Sequence, residues 1–115
     1  MSYDISIGVK VAGTEIIYPI ASPDYGSPPY SLGNLFRACT GWDFKQGEWS
    51  NCKDVIGKIC KGITELHTVP ERYRGYEPEN RWRTAEDALL WLESLRDCIY
   101  QAAEEVPIEC LWVRW

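Results

Sequence analysis

The sequence predicts an α+β domain, in which a small antiparallel sheet built from an N-terminal hairpin and a C-terminal strand carries three helices packed on one face. Three observations carry this. Tyr3, Ile5, Ile7, Val9 and Val11 alternate with Asp4, Ser6, Gly8 and Lys10, which is the period of a strand with one buried face. Two later stretches repeat apolar residues at three- and four-residue intervals, the spacing of one helix face. Beyond Pro107, the run from Ile108 to Trp115 returns to strand composition, with valine and tryptophan and no breaker. A length of 115 residues suits a single domain spanning the whole of 1–115.

Taken in order, Ala12-Gly13 reads as the hairpin turn and Thr14 to Ile20 as the returning strand, held at an edge by Pro19, which lacks a donor for a second neighbour. Residues 21–30 are dense in serine, proline and glycine and carry Tyr25 and Tyr30, a second candidate binding loop. Ser31 caps a short helix with Leu32, Leu35, Phe36 and Cys39 on its inner face, and Gly41 stops it. Residues 42–49 turn again. Asn51 opens the second helix, whose core face is Cys52, Val55, Ile56, Ile59, Cys60, Ile63 and Leu66; its Gly57 and Gly62 either weaken it or permit close packing. Thr84, with Asp87 three residues on, caps the third helix, which extends to about Glu105. Its core stripe is Ala85, Ala88, Leu92, Leu95, Ile99, Ala102 and Ala103. Arg96 falls within that apolar arc and Leu90 falls opposite it, among carboxylates.

Charge narrows the partners. The net charge of -5 and the pI near 4.8 oppose nonspecific binding to nucleic acid or to an anionic membrane. The acidity is unevenly placed: residues 84–115 hold 2 basic and 7 acidic side chains, while residues 70–83 hold 4 basic and 3 acidic. Five cysteines, an odd number without a close pair, and the lack of an apolar leader before Tyr3 predict a reduced cytosolic protein with no disulfide framework. No apolar run reaches the roughly 20 residues of a membrane span.

The strong local signatures of zinc, serine-hydrolase and phosphate-loop chemistry are missing from the sequence, so no cofactor, metal or catalytic residue is expected. His67 lies seven residues from Cys60, roughly 10.5 Å along a helix axis, too far for shared ligation, and is read as half-buried. The segment Pro70 to Arg83 stands out instead. Prolines at 70 and 78 and Gly75 oppose a continuous helix there, and Arg72, Arg74, Arg81 and Arg83 interleave with Tyr73, Tyr76 and Trp82. Guanidinium groups beside aromatic faces suit a planar anion. The same residues also fit an ordered surface loop in which the tyrosines pack down and the arginines pair with Glu71, Glu77 and Glu79. Arg96 has two readings as well: an arginine satisfied by a protein acceptor, or one that faces the floor of a site.

The phrases Thr40-Gly41-Trp42-Asp43-Phe44, Pro70 to Arg83 and Pro107-Ile108-Glu109-Cys110-Leu111-Trp112 resemble those of small phage and prophage proteins of Gram-positive bacteria. The layout is also similar to that of small immunity proteins that neutralise toxins. Either resemblance implies a compact cytosolic inhibitor or sequestering protein.

Two functions are therefore expected. In the first, a non-enzymatic phage-type counter-defence protein sequesters a nucleotide-like anionic signal molecule, with Arg72, Arg74, Arg81, Arg83 and Arg96 on phosphate and Tyr73, Tyr76, Trp82, Tyr25 and Tyr30 on a base. In the second, an inhibitor or immunity-type protein binds a protein target through the acidic third helix, using Glu86, Glu93, Asp97 and Glu104. A homodimer is expected from Leu90 and from an aromatic C-terminal strand placed at a sheet edge.

Overall fold

The computed structural model describes residues 1–79 and 83–115, so the binding roles expected of Arg81 and Trp82 lie outside the described residues. Strand β1 (Ser6–Lys10) pairs antiparallel with β2 (Ile17–Ala21), through a register shift between Ile7 and Gly8. The predicted hairpin is present, and Pro19 does lie on an edge strand. The other neighbour of β1 is β4 (Leu111–Arg114), which in turn pairs with β3 (Trp49–Asn51). The sheet order β2-β1-β4-β3 corrects two expectations. A fourth strand forms where the sequence suggested only a turn, because three residues are too few to show an alternating period. The C-terminal strand is internal, not an edge, which removes one of the two reasons for expecting a homodimer.

Cross-strand partners share a face, and alternate residues along a strand do not. One face therefore carries Ile7, Leu111 and Val113, all fully buried, and it is covered by α1 (Gly33–Thr40), α2 (Cys52–Thr68) and α3 (Ala85–Ala102). The α+β class and the three helices match the sequence reading. Local signals explain the helix ends. The Asn51 side chain accepts a hydrogen bond from the Lys53 N–H at 3.0 Å, and Thr84 and Asp87 form a reciprocal capping box. Gly41 closes α1 in the left-handed region at φ 72°. Ser31 is no cap, since a 3-10 turn over Tyr30–Leu32 leads into α1 without a side-chain bond. The third helix stops at Ala102 and continues as turns. Among the described residues no helix is long and apolar enough to cross a membrane.

Tertiary packing separates the two glycines of α2. A Cβ on Gly62 would stand 2.6 Å from Thr40 Cγ2, 3.1 Å from Leu92 Cδ1 and 3.2 Å from Cys39 Sγ, so α2 touches both of its neighbours there; a Cβ on Gly57 would meet nothing within 4 Å. At one end of the core, Trp115 stacks on Phe44 with centroids 4.1 Å apart and is edge-on to Tyr3 and Trp42. Burial pushes the Cys39 and Cys52 thiols up to about 12, so both stay protonated at neutral pH, whereas Cys110 is exposed.

Two outcomes follow. In urea denaturation, Gly57→Ala should raise stability by about 0.5–1 kcal/mol through helix propensity, whereas Gly62→Ala should lower it by about 1–3 kcal/mol through overpacking. Thiol labelling of the folded protein should modify Cys110 readily and leave Cys39 and Cys52 untouched until the protein unfolds.

Candidate functional site

The segment that dominates the sequence reading is helical. Pro70–Tyr76 forms a 3-10 turn, begun by Pro70, whose fixed φ and missing donor suit a first helical position. Two of its residues, Tyr73 and Arg74, are engaged by the fold. Tyr73 is buried in the core. Arg74 is held by three carboxylates: it makes two hydrogen bonds to Glu71 (3.3 and 3.0 Å), one to Glu77 (2.9 Å) and two to Glu86 (2.8 and 2.6 Å). Glu77 also accepts the Ala85 N–H at 2.7 Å. These bonds tie the 3-10 turn to the start of α3. Of the three carboxylates expected to pair within the loop, Glu71 and Glu77 do so, and the third partner of Arg74 comes from α3.

The other predicted site residues are dispersed. Arg72 pairs with Glu65 of α2 at 3.3 Å. Tyr76, half-exposed, lines a shallow concavity with Arg37 and Asp43. The Arg83 guanidinium lies 5.7 Å from the ring of Trp91, and Tyr25 meets the same indole edge-on at 5.1 Å, so these two do come together. Tyr30 instead packs on Tyr3 and accepts a hydrogen bond from Gln46, on the side of the aromatic cluster around Trp115. Arg96 has an acceptor in the adjacent Asp97, with Nε donating at 2.9 Å. His67 is exposed, not half-buried, and the Cys60 thiol approaches the Tyr100 hydroxyl at 3.5 Å.

A different region has the shape of a site. A groove of about 780 Å³ runs along α3, against about 520 Å³ for the concavity beside Arg74 and about 400 Å³ for that beside Arg37. One wall is the α3 stripe through Leu90, Ser94, Cys98 and Ala102; the other is the end of β2 and the following loop, through Ile20 and Ala21 to Tyr25. The two walls are pinned together where the Ser94 hydroxyl accepts the Tyr25 N–H at 3.0 Å. Leu90 on one wall and Ile20 on the other are half-exposed. The groove lining includes the carboxylates of Asp24, Glu93, Asp97 and Glu105 and, among the described residues, no lysine or arginine, although Asp97 is paired with Arg96 at 2.9 Å. Of the acidic residues assigned to the third helix from the sequence, Glu93 and Asp97 reach this groove, Glu86 is spent on Arg74, and Glu104 does not line it. Asp24, Glu105 and the β2 wall were missed, because only the folded chain brings residues 20–25 beside residues 90–106.

Comparison with family models gives no match, and neither curated proteins nor solved structures match the chain. The function has to be argued from the residues themselves.

The Arg74 cluster gives a measurable consequence. Hydrogen bonding to Arg74 holds the Glu86 carboxyl down at about 2, against an ordinary value of 4.5, and also lowers Glu71. A carboxyl whose folded value is depressed contributes its stability in full above its unfolded value and loses it as pH falls through the folded value. Carboxyl NMR titration should therefore find Glu86 ionised down to about pH 2, with Arg74→Gln raising that value towards the ordinary carboxylate range and lowering the melting temperature at neutral pH.

Proposed function

We propose that this chain is a non-enzymatic binding protein of the inhibitor or immunity type, which holds a basic, partly apolar segment of a protein partner in the groove along α3. The observation that carries the reading is the lining of that groove, which combines the apolar Leu90, Ile20 and Ala102 on its walls with Asp24, Glu93, Asp97 and Glu105. The apolar walls gain from burial, and the carboxylates select cations and speed their encounter. Glu93, Asp97 and Glu105 are four and eight residues apart on or just beyond one helix, so their rungs are about 6 and 12 Å apart at the usual rise per residue. Lysines or arginines spaced one turn apart on a partner helix would meet them in register. The loop arginines favour capture of an anion less, since Arg74 and Arg72 already hold carboxylates.

The test uses synthetic 18-residue helical peptides with leucines on one face and lysines one turn apart, measured by fluorescence anisotropy. Binding should weaken steeply between 50 and 300 mM salt, in the manner of exposed charge pairs at about those ionic strengths. It should be lost on Glu93→Lys with Asp97→Lys and on Leu90→Asp, while Arg72→Ala leaves it unchanged. Equal affinity for a peptide whose lysines are replaced by glutamates would overturn the reading.

A further inference from the structure

The sheet has a second face, turned away from the helices, and its composition is unlike that of the rest of the molecule. Register places Trp112 beside Gly8 and Asn51, and Arg114 beside Ser6 and Trp49, with Lys10 two residues along from Gly8 on the same side. The strand residues of this face include two tryptophans and two cations but no carboxylate, in a chain whose net charge is -5. The groove along α3 has the opposite charge. The protein is thus polarised, acidic on one flank and cationic-aromatic on the other.

The aromatic rings on this face are seated. A Cβ on Gly8 would stand 3.0 Å from Trp49 Cη2 and 2.6 Å from Ile17 Cγ2, so the absence of a side chain at Gly8 lets Trp49 reach across β4 and lie low over β1. Each indole has its own cation: Arg114 lies 4.7 Å from the Trp49 ring and Lys10 lies 4.5 Å from that of Trp112. Lys10 also reaches Glu15, which is almost fully exposed, whereas Arg114 makes no ion pair among the described residues.

We propose that this face is a nucleotide-binding platform, on which a base stacks against Trp49 or Trp112 while Arg114 and Lys10 take the phosphate. A cation over an indole at an exposed site is held more weakly than one hydrogen-bonded to phosphate. The arriving ligand can therefore exchange both contacts, the base replacing the cation on the ring and the phosphate receiving it. Stacking tolerates any base, because every base has a π face. A free nucleotide is the occupant that fits. A long polyanionic strand would gain only two cations here and would meet the field of an acidic protein. This site is separate from the groove along α3 and does not depend on the function proposed for it.

Titration with adenosine monophosphate, followed through the indole N–H resonances, tests the platform. The Trp49 and Trp112 signals should shift together, and those of the buried Trp42 and Trp115 should stay in place. Arg114→Gln should weaken binding about ten- to a hundredfold, the loss expected of one charge-assisted bond to phosphate. Trp49→Leu, which keeps an apolar cover over Gly8, should also weaken it and abolish the preference for nucleotide over inorganic phosphate. Glu93→Lys with Asp97→Lys should leave it within about twofold, since no part of the groove takes part. The proposal is overturned if the two indole signals fail to move at 10 mM nucleotide, if unphosphorylated adenosine binds as tightly, if a folded Arg114→Gln protein binds unchanged, or if affinity for an oligonucleotide climbs with its length above that for the mononucleotide.

Discussion

The close approach of α2 to its neighbours at Gly62 is the constraint on which the helical layer depends. Thr40 and Cys39 of α1 and Leu92 of α3 all reach the same point of the α2 backbone. With a side chain there the three helices would have to separate, and the fully buried Phe36, Ile59 and Leu95 would lose the packing that encloses them. Thr40 can sit in this contact because its polar atoms are satisfied: its hydroxyl donates to the Phe36 carbonyl at 2.6 Å and accepts the Trp42 N–H at 3.0 Å. The helical layer then covers one face of the sheet only, which leaves the opposite face to Trp49 and Trp112.

Strand order adds a second constraint. The last strand of the chain lies between the first and the third, so both of its neighbours are incomplete until residues 111–114 arrive. Pairing across so much sequence carries a large loop-closure cost before any ladder bond forms. Trp115 meets that cost by closing the aromatic cluster with Phe44, Tyr3 and Trp42, while its carbonyl accepts the Gly47 N–H at 2.7 Å. The final residue thus locks the N-terminal segment and the loop before β3 onto the same centre.

Charge is distributed by the same architecture. Two of the central arginines, Arg72 and Arg74, which by composition resemble part of an anion site, face carboxylates that the fold delivers from α2 and α3. Arg74 has become a tie between a 3-10 turn and the capped start of α3, with Glu77 bridging from its guanidinium to the Ala85 N–H. With these two arginines neutralised, the α3 groove is acidic and the outer sheet face cationic. The two proposed partners, of opposite charge, are assigned to different surfaces.

The sequence by itself determined the features whose causes lie within a few residues: the alternation of β1, the edge position marked by Pro19, the Asn51 cap, the Thr84 and Asp87 capping box, the left-handed stop at Gly41, and the α+β class that follows from them. Each is a bond, a dihedral or a period along one segment, so the residues that cause it can be read directly. Only the tertiary structure decided that three residues around Ser50 become a strand and that β4 runs through the interior of the sheet. It also decided that Arg74 takes Glu86 as its third carboxylate, that residues 20–25 form a wall for α3, and that Gly8 makes room for Trp49. These depend on contacts between segments far apart in the chain. Composition announces how many arginines, carboxylates and tryptophans are present, but their pairing is set by which surfaces the buried apolar face forces together.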